Sequence, residues 1–292
     1  MKKRGFTLVE LLVVISIIAL LMGILVPALA RARALAYQMV CSTNLGGIGK
    51  AMILYSQDSE GEFPRAGGPV ASWSTLGAVN NIAWLLGWSE EKTFGIPPNN
   101  RATVTSCFYL LVKYSMASPK QFVCKGDDNV MLFRPSIFSM PPQNGIFSTW
   151  DFGDGAQVWP GECCSYSYHM PFSFIDPRPG HGGDMTNFAV EEVSSGTRPL
   201  CADRNPFLDE NAINPEAGDN CAAHGGDGQN VLYRDLHVSF EKNPNVGIGE
   251  DNIWTYYDGS NDQPPTFIGD DGPPINPEDA YLVNEYQQGN LP

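Results

Sequence analysis

The first thirty residues hold the feature that most limits how this chain can fold, a single carboxylate inside a long apolar run. Glu10 is the only charged residue between Phe6 and Ala30. The run is about 25 residues long, enough for a helix to cross the hydrocarbon core of a bilayer. A carboxylate within such a span costs roughly 2.5–3.5 kcal/mol on insertion scales. The sequence therefore predicts a membrane-length helix whose acidic residue needs a partner or a function.

Two general interpretations leave Glu10 unexplained. A secretory signal peptide accounts for the basic start, Lys2, Lys3 and Arg4, and for the small residues at 28–30 as a cleavage site. Its apolar core would be too long, and Glu10 would have no role in it. A plain membrane anchor accounts for the length and for basic residues that stay in the cytoplasm. The cost of burying the carboxylate would still be uncompensated.

The stretch "KKRGFTLVELLVVISIIALLMGILVPALARAR" resembles the leader and first helix of type IV pilin-like proteins, including the pseudopilins of type II secretion. The resemblance implies that a prepilin peptidase cuts after Gly5 and methylates the new terminal residue, Phe6. It also implies that Glu10 is the assembly residue and that Pro27 bends the helix. The implied partners are copies of this chain or other pilin-like subunits. The implied location is the inner membrane, with the head outside the cytoplasm, and then a filament.

Electrostatics favours this interpretation over the other two. Cleavage after Gly5 would leave an ammonium group on Phe6 in apolar surroundings, where it is as costly as the carboxylate of Glu10. Pairing Glu10 of one subunit with the Phe6 amine of its neighbour would remove both costs and fix the register of the two helices. Glu10 is thus predicted to determine assembly.

Apolar residues recur beyond the membrane run at helical spacing, which predicts an amphipathic helix lying on a domain. The predicted stripe is Leu35, Met39, Leu45, Ile48, Met52 and Tyr55. We divide the chain into a leader (1–5), an N-terminal helix (6–59) and an extracytoplasmic head (60–292). The helix has a hydrophobic half (6–30) and an amphipathic half (31–59).

The head contains short segments rich in aromatic and β-branched residues, which are typical of strands. They are "QFVC", "CCSYSYHM", "RPLCAD", "NVLYRDLHVSFE" and "NIWTYY". The fourth predicts a hairpin of 230–234 and 237–241 with a tight turn at 235–236, whereas "SCFYLLVKY" (106–114) is either a helix or a buried strand. A helix followed by short antiparallel strands predicts an α+β fold, with the long N-terminal helix packed on a globular head.

Parts of the head also resemble large pilin-like proteins common in planctomycete-type bacteria. The similar segments are "FVCKGD", "PLCADR" and "HGGDGQNVLYRDLHVSFE", the last resembling a His-x9-Asp-Gly signature. Two departures stand out, because ten residues separate His224 from Asp235 and Leu236 replaces the glycine. Seven cysteines suit an exported head. Cys41 and Cys124 are the pair we expect to form a disulfide, the alternative being two buried thiols.

Two groups of residues are candidates for metal binding. Major pseudopilins commonly bind calcium in a C-terminal loop, and the resemblance makes Asp258 and Asp262 of "YDGSND" candidate ligands. The alternative is a solvated acidic turn. His224 would meet Asp203 or Asp235 at a sheet edge if the glycine-rich loop after it folds back. That cluster would be a small metal site or, as we expect, a polar clamp; no other cofactor is predicted.

Enzyme signatures are missing from the sequence, which contains neither G-x-S-x-G nor H-E-x-x-H. The segment at 44–51, "NLGGIGKA", lacks the first glycine and the hydroxyl residue of a phosphate-binding loop. A net charge of −14 argues against nucleic-acid binding by the head. We therefore predict a non-enzymatic pilin or pseudopilin. The alternative is a membrane-tethered head that binds a ligand or metal, or acts as an enzyme, without polymerising.

Overall fold

The structure is a computed structural model. It describes residues 7–66, 103–128, 130–137, 149, 151–153, 158, 160–169, 174–175, 185–186, 196–208, 215–216, 218–257, 262–263 and 280–284. The α-helices within these residues are α1 (Leu8–Asp58) and α2 (Val104–Lys113). The strands are β1 (Tyr166–His169), β2 (Phe174–Ile175), β3 (Met185–Thr186), β4 (Pro199–Asp203), β5 (Gln229–Tyr233), β6 (Val238–Glu241), β7 (Tyr256–Tyr257), β8 (Asp262–Gln263) and β9 (Leu282–Val283). A long N-terminal helix and an antiparallel sheet confirm the predicted α+β fold.

The long helix α1 has 51 residues and is therefore about 76 Å long. It begins after Thr7, which caps it, and it continues through Pro27. Proline has no backbone N–H, so the Gly23 carbonyl loses its helical partner at that point. The bend expected at Pro27 stays a prediction.

The second half of α1 packs on the head through a narrow stripe. Leu45, Ile48 and Met52 are fully buried, as the helical periodicity predicted. Leu35 and Met39 are 57% and 72% exposed, so their assignment to the stripe was wrong. The physical reason is that the head first covers α1 fully at Cys41, the first buried residue of the helix.

Two glycines let the head approach α1 closely. A Cβ atom on Gly49 would lie 3.0 Å from a methyl carbon of Leu232 and 3.1 Å from one of Leu236. A Cβ atom on Gly47 would lie 2.5 Å from the side-chain amide nitrogen of Gln121. Glycine lowers helix propensity. At these two positions, however, the missing side chain allows the head to pack closely against α1.

The main sheet has five antiparallel strands in the order β6–β5–β4–β1–β9. Alternate residues of β5 face opposite sides. Leu232 joins the core beneath the helices α1 and α2, whereas Val231 and Tyr233 join a second core around Trp254. The sheet is thus covered on both faces, and the pairs β2–β3 and β7–β8 form two smaller sheets.

The predicted hairpin is present as β5 and β6, and its turn contains a strained residue. Leu236 adopts a φ of +70°, a conformation that favours glycine. Its side chain reaches Gly49 on α1, so packing against the helix offsets a backbone cost of about 1 kcal/mol. Leu236, which replaces the glycine of the resembled signature, therefore packs the turn against α1.

The other predicted segments divide into confirmed and wrong assignments. "CCSYSYHM" and "RPLCAD" contain β1 and β4, as predicted. The prediction of a strand at "QFVC" is wrong, because Pro119–Phe122 forms a 3-10 helix with proline at its first position. In "NIWTYY" only Tyr256–Tyr257 is a strand. The residues before this strand form a turn, because the Asn252 side chain accepts a hydrogen bond from Trp254 N–H. Most of "SCFYLLVKY" lies in α2, which is buried from Val104 to Val112 and so has no solvent-exposed side over those residues.

Substitutions at two helix glycines should have opposite effects on stability. Gly46→Ala should raise the free energy of unfolding by about 0.5–1 kcal/mol through helix propensity, because its Cβ would lie 3.8 Å from Val238. Gly49→Leu should lower it by about 1–3 kcal/mol through overpacking. Equilibrium unfolding in denaturant of the full chain in detergent measures both, and effects of equal sign would contradict this packing.

Candidate functional site

The N-terminus of α1 is closed by reciprocal hydrogen bonds between Thr7 and Glu10. The backbone N–H and the hydroxyl of Thr7 donate to Glu10 Oε2 at 2.8 and 2.7 Å. Glu10 N–H donates back to Thr7 Oγ1 at 3.3 Å. This is a capping box, so Glu10 has a local role that the sequence interpretation missed, although the spacing in "TLVE" matches the motif. Gly5 and Phe6 lie outside the described residues.

The first half of α1 presents its apolar side chains on all sides. The large hydrophobic residues from Leu8 to Leu29 are between 45 and 80% exposed. Within the described part of the chain, α1 is the helix that is long and apolar enough to cross a membrane. A continuous apolar surface of this size is not stable in water. It supports membrane anchoring of the chain through α1.

A disulfide between Cys41 and Cys124 joins α1 to the head. The Cα atoms are 5.4 Å apart, and 83 residues separate the two cysteines. Closing a loop of that length stabilises the fold by about 4.5 kcal/mol on the chain-entropy model. The Asn44 side chain adds hydrogen bonds from α1 to the Val123 carbonyl and the Tyr166 hydroxyl, both 3.2 Å long.

A buried polar pair lies beside this disulfide. His224 Nε2 is 3.1 Å from Asp203 Oδ2 and 3.7 Å from Cys124 Sγ. The backbone N–H and the side-chain amide of Asn230 donate to the same Asp203 oxygen at 2.6 and 3.0 Å. The pair forms because the 3-10 helix Ala222–His224 and the start of β5 fold over the end of β4. The structure thus brings together two of the three residues of the predicted polar cluster.

Asp235, the third residue, lies elsewhere. It occupies the turn between β5 and β6, at the other end of β5 from His224, because five extended residues intervene. It is exposed and contacts His237 Nδ1. A hydrogen bond from the backbone N–H of His237 lowers the pKa of the Asp235 carboxyl group. Asp235 could have joined the cluster only if the loop after His224 had folded back and brought the two residues together. In the structure they remain at opposite ends of β5.

The predicted calcium ligands are not tested. Asp258 lies outside the described residues. Asp262 begins β8 and pairs with Tyr257 through the backbone, and its side chain is outside the description. Calcium binding there stays a prediction.

Sequence reasoning missed a buried arginine that holds the segment around Cys124. Arg204 is fully buried, and its Nη2 donates to the carbonyls of Gly161 and Cys164 at 2.8 and 2.5 Å. The same nitrogen lies 3.5 Å from Asp127 Oδ2. The available signal was a pair of opposite charges soon after two apolar segments, Arg204 in "PLCADR" and Asp127 in "FVCKGD".

Loss of the His224 imidazole should destabilise the disulfide-bonded chain. We expect His224→Ala to lower the free energy of unfolding by about 1–3 kcal/mol, because Asp203 would lose a buried partner. His237→Ala removes a histidine from the exposed pair with Asp235 and should cost about 1 kcal/mol or less. Denaturant unfolding under non-reducing conditions compares the two variants. Equal losses would mean that the buried pair contributes no more than the exposed one.

Comparison with known proteins finds similarity at the N-terminus. Residues 1–26 match the family model described as the prokaryotic N-terminal methylation motif. No curated protein and no solved structure is significantly similar to the chain. The matched segment contains the predicted cleavage position, Glu10 and most of the exposed apolar half of α1. The chain therefore begins with a prokaryotic N-terminal methylation motif, which supports a type IV pilin-like or pseudopilin precursor.

Proposed function

We propose that this chain is a non-enzymatic structural subunit, a pilin or pseudopilin, of a type IV pilus-like or type II secretion filament. The observation that carries the proposal is the methylation motif at residues 1–26, which overlaps a helix whose apolar first half is exposed on all sides. The motif supports processing by a prepilin peptidase. The exposed half of α1 supports a function in which this surface is covered by something outside the chain.

Before assembly, the apolar half of α1 is surrounded by the lipid of the inner membrane. Lys2, Lys3 and Arg4 precede the apolar run and hold the start of the chain on the cytoplasmic side. The head then lies outside the cytoplasm. A disulfide between Cys41 and Cys124 agrees with an oxidising compartment for the head.

In the filament, the apolar half of α1 packs against the same half of α1 in neighbouring subunits. Each mature subunit brings a Phe6 ammonium group and a Glu10 carboxylate into that apolar core. Both Thr7 donors bind Oε2 of Glu10, and within the described residues Oε1 accepts no hydrogen bond. Oε1 is therefore free to receive the Phe6 amine of a neighbour while the cap remains closed. Pairing removes the cost of two isolated buried charges.

A membrane-tethered head that does not polymerise is the second candidate. It is favoured by the extent of the head, 60–292, which is larger than a simple major subunit requires. The same size also fits a specialised or minor filament subunit. The two candidates make different predictions for variants of Glu10, because tethering alone does not need its charge.

Processing is the first test of the proposal. Mass spectrometry of the native protein should show a chain that starts at Phe6 and carries one added methyl group. The measurement is made on protein from a host with an active prepilin peptidase. A chain that starts at Arg31, after the small residues at 28–30, would contradict the proposal and indicate soluble export.

Assembly is the second test, and the capping box supplies a matched control. Glu10→Ala and Glu10→Gln should insert and fold but fail to form filaments, because an unpaired buried ammonium group costs about 3–5 kcal/mol per contact. Glutamine can still cap the helix, so Glu10→Gln removes only the charge. Thr7→Ala weakens the cap, keeps the charge and should assemble. Electron microscopy and sedimentation of membrane extracts measure assembly.

Two outcomes would reject this mechanism. Normal filaments from Glu10→Gln, with failure of Thr7→Ala, would mean that Glu10 acts through the cap alone. Absence of filaments from the correctly processed wild-type chain, supplied with its partner subunits, would favour the tethered head.

A further inference from the structure

Four side chains that can bind a metal meet where α1 joins the head. They are Cys41, Cys124, Asp203 and His224, and one ligand atom from each lies within 4.8 Å of the other three. Cys41 comes from α1 and Asp203 from the end of β4, whereas Cys124 comes from a loop and His224 from the 3-10 helix Ala222–His224. Their exposed fractions are 0, 1, 0 and 9%. Such a set of soft and borderline ligands is typical of zinc sites.

We propose that, in the dithiol form of this chain, these four side chains bind one divalent zinc-type cation. The Cys41–Cys124 disulfide and this metal site would then be two alternative states of the same junction between helix and head. The proposal does not depend on whether the chain polymerises.

The distances allow a tetrahedral site after reduction. Zinc lies about 2.3 Å from thiolate sulfur and about 2.0–2.1 Å from imidazole nitrogen, so its ligand atoms are about 3.3–3.8 Å apart. His224 Nε2 is already 3.7 Å from Cys124 Sγ and 3.1 Å from Asp203 Oδ2. Once the S–S bond is broken, the two sulfur atoms must separate to about 3.8 Å. Small side-chain rotations can provide this, because the Cα atoms are 5.4 Å apart.

The groups around the four ligands favour a negatively charged set. Gly126 N–H donates to Cys124 Sγ at 3.3 Å, and Asn230 donates twice to Asp203 Oδ2. Hydrogen bonds from outer groups orient metal ligands in this way. The second oxygen of Asp203, Oδ1, is fully buried and has no hydrogen-bond partner among the described residues. A buried carboxylate oxygen without a partner is costly, and a cation would supply one.

The two states interconvert by thiol–disulfide exchange. In the forward direction, a small-molecule or protein disulfide oxidises the zinc-bound thiolates, so that the Cys41–Cys124 bond forms and the cation leaves. The oxidant takes up two electrons from the two thiolates and two protons from the solvent, and becomes two thiols. In reverse, a dithiol reduces the bond, and zinc binding releases the protons of Cys41 and Cys124. The junction is cross-linked in both states.

The other five cysteines should not compete for the cation. All are buried, and none of their sulfur atoms belongs to the group of ligand atoms that lie within 4.8 Å of one another. Cys201 is as buried as Cys41 and belongs to the same core, so Cys201→Ala is a matched control.

The test uses the full chain in detergent, reduced with a phosphine that is then removed, and titrated with cobalt(II) and zinc. Reduced wild type should bind one equivalent of cobalt, with thiolate charge-transfer and tetrahedral d–d absorption that zinc abolishes. Oxidised wild type should bind none at the junction. Cys201→Ala should match reduced wild type.

Variants of the ligands separate metal binding from a structural role. Asp203→Asn and His224→Gln should each weaken cobalt binding by more than the roughly 10–100-fold that is typical of outer-shell changes. They should also alter the d–d spectrum of any cobalt that remains bound. A merely structural role would change the melting temperature alone. Cys41→Ala/Cys124→Ala should lose the charge-transfer absorption.

Three outcomes would overturn the proposal. They are failure of the reduced wild type to bind cobalt, equal binding by the double cysteine variant, and an unchanged cobalt spectrum in both Asp203→Asn and His224→Gln. The comparison of oxidised with reduced wild type needs no substitution, so misfolding of a variant does not affect it.

Discussion

The packing of the second half of α1 on the five-stranded sheet is the interaction on which the rest of this structure depends. From Cys41 to Ser56, α1 supplies one side of the main core. The close contacts at Gly49 bring Leu232 of β5 against the helix, and the turn after β5 follows through Leu236. Without this packing, the head would not be held in a fixed position on α1, and the sheet would expose one apolar face.

Hydrophobic periodicity identified this helix but not the point where the head begins to cover it. Leu45, Ile48 and Met52 follow the helical period and are buried, whereas Leu35 and Met39 follow the same period and are exposed. The difference arises because the head first covers α1 at Cys41, whereas the apolar residues before it are not packed on the head. A single apolar pattern cannot separate these two environments.

The candidate sites were predictable to different degrees, according to how local their signals are. Glu10 is conspicuous because a charge inside an apolar run has few explanations. The contact between Asp203 and His224 depends on the pairing of β4 with β5, which no local pattern contains. Asp235 was considered alongside His224 because of their spacing along the chain, yet an extended strand carries residues apart along its length. Asn230 was missed because an asparagine within a strand gives no sign that both of its N–H groups bind one carboxylate.

The position of the disulfide has a mechanical consequence. Cys41 is the first buried residue of α1, so a force that pulls the exposed half of the helix away from the head reaches the covalent bond before it reaches the rest of the core. From Cys124 the load passes to Ser165, whose hydroxyl accepts a hydrogen bond from Cys124 N–H at 3.0 Å, and whose own N–H donates to the Phe122 carbonyl at 2.8 Å. Ser165 directly precedes β1, an interior strand held by β4 and β9. The load is therefore shared with the strands that pair with β1, and the noncovalent contacts between α1 and β5 are not the first to bear it.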